Sequence, residues 1–198
     1  MLSAVFETFD FRPEYQVEVD PEFPGDGDWH APTYFFDREN TVSESSGDSR
    51  WGAPLVIRVT TDQKQWIGTF TAGIDGVNSV VATPDPRRLC CVVAGLAYVV
   101  NVDDPGAGAQ LAHWQTVNLT PVSGTNTLLL IGFVDLAALG EGGIEWRSER
   151  LVLDDLTVLQ ASSDGIICTG TIPGEDAPRI ALNPSTGHLM GGPRINLK

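Results

Sequence analysis

From Trp51 onward the chain holds no 3.6-residue apolar period over ten or more positions, while glycine and proline recur at strand-length intervals. That pattern constrains the fold more than any other feature. "PLVIRVTT" (54–61) sets Leu55, Ile57 and Val59 on one face, as a half-buried strand requires. "WIGTFTA" (66–72) follows the turn "DQKQ", and "VNSVVAT" (77–83) follows that. "LCCVV" (89–93) and "LAYVVNV" (96–102) flank "AG", which suits a tight hairpin. "TLLLIGFVDLAAL" (127–139) reads as one strand broken at Gly132 or as two strands, with a short helix over 134–139 as a further option. "GIEWRS" (143–148), "RLVLDD" (150–155), "LTVLQ" (156–160), "IICTGTI" (166–172) and "APRIALN" (177–183) complete the series. The expectation is an all-β fold of antiparallel meander sheets, forming a sandwich, an open barrel or a partial propeller-like arrangement.

The first fifty residues differ in texture. Pro13, Pro21, Pro24 and Pro32 punctuate a mixture of acids and aromatics, and only "YQVEVD" alternates like a strand. A disordered tail would not normally hold so many aromatic residues. Residues 1–50 are therefore expected to form an arm packed on a single all-β domain, 51–198, with "TVSESSGDSR" (41–50) as the linker or mobile loop.

Charge narrows the possible partners. The 198 residues carry a formal charge of -14, and residues 1–40 alone hold ten acids against two bases. Phosphate backbones and anionic lipid surfaces repel such a chain, so neither nucleic acid nor membrane is an expected partner. The start "MLSAVFETFDF" lacks the basic opening of a secretory signal, and "LCCVVAGLAYVV" is too short to span a bilayer. Cys90, Cys91 and Cys168 form no disulfide framework, which points to reduced thiols in the cytoplasm.

"GGIEWRS" and "LNPSTGHLMGG", together with "PDPRRLCCVVAGLAYVVNVDD", resemble the strand-turn-strand text of propeller-type, quinoprotein-like repeats. Those repeats favour a D-x-x-T-G turn and a tryptophan near a strand end; here the turn is Asn183 to Gly187, with asparagine in the first place. The resemblance covers about the last third of the chain and implies blade-like meanders. A blade takes ~40–50 residues and a closed ring at least four blades, so residues 51–198 have room for three and a closed ring is not expected. The chain also resembles uncharacterised bacterial β-rich proteins, a likeness that brings no functional residues with it.

Catalytic constellations are sparse. His30, His113 and His188 lie far apart, with no metal-site spacing, and neither metal nor cofactor is expected. "PGDGDWH" imitates the start of a calcium loop but has Ala31 where glycine is needed and Pro32 inside it, so it reads as an acidic turn anchoring Trp29. The cysteines sit in apolar strands, where burial keeps thiols inert. Carboxylates are the residual candidates: Glu145, Asp154 and Asp155, with Trp146 nearby, could face each other across a sugar cleft.

The leading expectation is a non-catalytic protein-binding module of the immunity or inhibitor type, meeting a basic partner through Asp20, Glu22, Asp26, Asp28, Trp29 and Tyr34. The alternative is a carboxylate-dependent hydrolase or lyase acting on carbohydrate. The oligomeric state is open.

Overall fold

The computed structural model describes residues 5–38, the backbone of 42–43, and 54–195. In chain order its strands begin with β1 (Phe6–Glu7), β2 (Gln16–Val19), β3 (Thr33–Phe36), β4 (Val42–Ser43), β5 (Leu55–Thr60) and β6 (Gln65–Phe70). Then come β7 (Ser79–Ala82), β8 (Arg88–Val93), β9 (Leu96–Asn101), β10 (Ala109–His113), β11 (Thr116–Pro121) and β12 (Leu128–Gly132). The last six are β13 (Leu136–Gly140), β14 (Gly143–Arg147), β15 (Asp154–Ser162), β16 (Gly165–Thr171), β17 (Ile180–Leu182) and β18 (Leu189–Gly191). Among the described residues the chain is all-β apart from one 3-10 turn at Pro105–Ala107, and its four mostly antiparallel sheets do not close into a barrel. It divides into two compact units, Met1–Gln115 and Thr116–Lys198.

In the first unit, one sheet runs β2-β5-β6-β3-β4 and the other β1-β7-β8-β9-β10. Both contribute to one core, in which Ile57, Trp66 and Phe70 meet Leu89, Cys91 and Tyr98. Aromatic rings set its geometry. Phe36 stacks on Phe70 at 4.6 Å, Phe70 lies 5.5 Å from Tyr98, and the buried Trp66 indole donates to the Val102 carbonyl at 3.0 Å. Gly68 makes this possible, because a Cβ there would run into the Trp66 and Phe70 rings. The arm is structural: Tyr15 and Phe36 join the core, β1 pairs in parallel with β7, and β3 pairs in parallel with β6. The hairpin joining β8 to β9 turns on Ala94 and Gly95, both at positive φ, as a two-residue turn between twisted strands demands.

In the second unit, β11-β12-β13-β14 and β15-β16-β17-β18 are both meanders in sequence order. Leu129, Leu136, Trp146, Val152, Ile166 and Ile180 share its core. Every residue of β12 and β13 is buried, so both faces of those strands are covered.

Several expectations change in detail. Residues 136–140 form a strand and not a helix, because Gly132 donates to Asp135 and turns the chain within four residues. "RLVLDD" is not a strand over 150–153. Leu151 and Val152 are buried in the core, and the Arg150 guanidinium holds the Val152 and Leu153 carbonyls at 3.0 and 2.8 Å. Asp154 and Asp155 therefore open β15 and end no strand. Of the four sheets, two are four-stranded and two five-stranded, and the arm contributes β1 to one five-stranded sheet and β2, β3 and β4 to the other. The linker at 41–50 lies outside the described residues except for the backbone of Val42–Ser43.

Candidate functional site

The segment between β2 and β3, residues 20–32, cannot extend a strand: Pro21, Pro24 and Pro32 lack donors, and Asp20, Gly27 and His30 all sit at positive φ. It folds instead around its own carboxylates. The Asp28 amide donates to Asp26 Oδ1 at 3.3 Å, the His30 amide to Asp28 Oδ1 at 2.9 Å, and His30 Nε2 meets Asp26 Oδ2 at 2.6 Å. The hydrogen bond from His30, helped by the Asp28 amide, holds the Asp26 carboxyl below the usual carboxylate range. The knot presents Trp29, whose ring takes Phe23 edge-on at 4.9 Å and has the Arg58 guanidinium 5.7 Å from its centroid. Arg58 is in turn paired with Glu18. Beneath the segment, Ile67 on the outward side of β6 is fully buried, and its amide donates to the Pro32 carbonyl at 2.8 Å.

Five of the six expected binding residues, Asp20, Glu22, Asp26, Asp28 and Trp29, therefore lie on one loop. Tyr34 does not join them; it packs edge-on against Trp66 at 5.9 Å, at the margin of the core. Sequence reasoning missed Phe23 as a binding residue; it is 57% exposed on the same acidic loop. The signal available for it was its position between Glu22 and Pro24, in "PEFPG".

Two polar clefts lie elsewhere. One, of about 450 Å³ in the first unit, is lined by Glu14, Gln16, Asp62, Gln63, Arg87 and Asp103 among others. Its charges already engage each other: Arg87 reaches Glu14 at 3.1 Å and Asp103 at 3.4 Å, and the Lys64 ammonium donates to the Asp103 carbonyl. The other, of about 410 Å³ in the second unit, is lined by Glu141, Glu145, Asn126, Thr125, Pro184 and Ser185 among others. Asn126 Nδ2 donates to Glu141 at 2.9 Å, and the Glu145 side chain folds over Gly140, where a Cβ would displace it. Of the three carboxylates considered for catalysis, only Glu145 lines this cleft. Its companion there is Glu141, which the sequence presented only as part of the turn "GEGG".

Beside the second cleft, "GGIEWRS" and "LNPSTGHLMGG" come together. Trp146 Nε1 donates to the Pro184 carbonyl at 3.0 Å, and Asn183 Oδ1 accepts from the Ser185 amide at 2.9 Å. Gly187, at φ 69°, lies against the Trp146 ring so closely that a Cβ would overlap it. Asn183 at the head of the turn thus makes an Asx contact.

Among the described residues, no group of three or more histidine, cysteine, aspartate or glutamate side chains could hold a metal ion. His113 is buried in β10, whereas His30 and His188 are exposed. All three cysteines are buried and free, and burial pushes the Cys90 and Cys168 thiols up to about 12. Cys91 points into the first core, and its neighbour Cys90 is absent from that cluster, in keeping with the two faces of a strand. No helix among the described residues is long and apolar enough to cross a membrane. Compared with known proteins, the chain matches no family model and no curated sequence.

Proposed function

We propose that the chain is a non-catalytic binding module that captures a basic protein partner through the loop at 20–32, in the manner of an immunity or inhibitor protein. One observation carries this reading: an exposed Phe23, seated on Trp29, shares its loop with the exposed acids Asp20, Glu22, Asp26 and Asp28. Aromatic anchors supply most of the energy of an interface, and surrounding charge supplies steering and partner choice. The loop is held in shape by its carboxylate knot and by Arg58, so little ordering cost remains to be met on binding. Among the described residues neither Asp20 nor Glu22 has an ion pair, which leaves both for a partner's lysines or arginines. The three unpaired, buried thiols support a reducing, cytoplasmic setting.

The test is capture of partners from the native lysate at low and high salt, using the full chain and a variant with Asp20, Glu22, Asp26 and Asp28 changed to lysine. A basic protein retained by the first, released by salt and absent from the second is the expected result. Retention that ignores both salt and the four substitutions would remove the proposal. A carbohydrate hydrolase or lyase is the second reading, favoured by the shared cleft of Glu141 and Glu145. It requires that Glu145→Gln abolish a measurable turnover of a glycan substrate, with the loop variant fully active.

A further inference from the structure

The register of β2 against β5 decides where its backbone groups point. Gln16 lies opposite Thr60, Glu18 opposite Arg58 and Val19 opposite Ile57. One residue further on, the Asp20 amide donates to the Val56 carbonyl at 2.9 Å, which makes Asp20 and Val56 a hydrogen-bonded pair. Such pairs alternate along an antiparallel ladder, so Glu18 and Gln16 also bond to β5. Val17 and Val19 fall between them, and their N–H and C=O groups point away from β5. β5 divides its own groups accordingly. The Thr61 amide donates to the Lys64 carbonyl at 2.8 Å, which assigns Val59 and Ile57 to β6 and leaves Thr60 and Arg58 for β2.

Beyond β2 there is no further strand. It ends its sheet among the described residues, and there neither the Val17 nor the Val19 amide has another hydrogen bond. Two donors and two acceptors therefore stand open on one short edge. The valine side chains pack against the core, while Gln16 and Glu18 are exposed. Unpaired backbone groups in this arrangement are satisfied by an extended chain that adds itself as a strand.

Charge selects which chain that is. From Pro13 to Trp29 every charged residue is acidic: Glu14, Glu18, Asp20, Glu22, Asp26 and Asp28. A second copy of β2 laid along the edge would set like charges across from each other, which disfavours it. A strand with lysine or arginine at alternate positions meets Gln16, Glu18 and Asp20 instead, and its apolar residues continue the row of Val17 and Val19. Arg58 already pairs with Glu18, so an added base shares that carboxylate. β2 leads directly into the loop at 20–32, which places the open edge within three residues of Glu22.

We infer that the free edge of β2 takes up an extended partner segment of alternating basic and apolar residues, paired with Val17 and Val19 as an added strand. This rests on the reading of a basic protein partner and adds how that partner is held.

The probe is the end-blocked peptide Lys-Val-Lys-Val-Lys-Val, with hexalysine as the control for charge alone. Each is titrated into the full chain while amide exchange is followed by NMR. In the free chain the Val17 and Val19 amides should exchange faster than that of Glu18. The alternating peptide should protect both, and hexalysine neither. Val19→Pro removes an amide that makes no bond in the free chain, so it should keep the fold and weaken the alternating peptide about tenfold. Val17→Pro serves if that variant does not fold. Slow exchange of both valines in the free chain would overturn the inference, as would failure of the alternating peptide to bind or to protect them. Capture from lysate that is lost on reversing the loop charges, with these amides left unprotected, would overturn the added strand and leave the basic partner standing.

Discussion

Gly187 shows how much can depend on one missing side chain. Its positive φ and its contact with Trp146 both exclude a Cβ, so Gly187→Ala combines left-handed backbone strain with overpacking of the core. The expected loss is about 2–4 kcal/mol, read as a lower urea midpoint with an unchanged slope. The thiols make a second residue-scale prediction. Because burial raises the Cys90 and Cys168 pKa values to about 12, the folded state keeps protons that the unfolded state releases above the ordinary thiol range. Stability is therefore complete below that range and falls as pH rises through it, with the raised Tyr15 and Tyr98 phenols acting in the same direction. Chemical denaturation at pH 7 and pH 10 should show the fall, and a disulfide reagent should titrate all three thiols only after unfolding. Burial of these cysteines was legible from their apolar strands. The Gly187 contact was not, because it joins residues 41 positions apart that neither local turn nor strand pattern relates.

At the scale of elements, turns explain both the successes and the misses of sequence reading. The "AG" turn was readable because two strands with matching alternation flank it. Its first residue is nonetheless poorly suited: Ala94 adopts φ 43°, where asparagine is more at ease. Ala94→Asn should raise stability by about 0.5–1 kcal/mol, seen as a higher thermal midpoint. "RLVLDD" was misread because apolar residues that plug a core from a loop look the same in sequence as residues that alternate on a strand. The loop at 20–32 titrates as an element. Its hydrogen bonds hold the Asp26 carboxyl low, so their contribution is present above the normal carboxylate range and is lost as pH falls through it. Trp29 fluorescence should report the loop loosening on acidification, and Asp26→Asn should remove that transition at no measurable cost to global stability.

For the molecule as a whole, antiparallel all-β architecture followed from punctuation and period alone. Sheet count did not, since it depends on arm strands that are only two to four residues long and pair with segments far along the chain. The acidic character was legible as composition, but the packing of Phe23 on Trp29 was not. Net charge sets one property of the entire chain: moderate salt should raise the thermal midpoint by screening self-repulsion, the reverse of its effect on capture of a basic partner.

The parallel pairing of β1 with β7 also has a consequence for synthesis. Phe6 is made 74 residues before Val80, the residue it lies opposite. At ordinary elongation rates of ~5–20 residues per second the arm waits about 4–15 seconds for its place in the sheet. During that interval Phe6 has no β7 to lie against. Net negative charge on the arm disfavours its association with other acidic chains over that time.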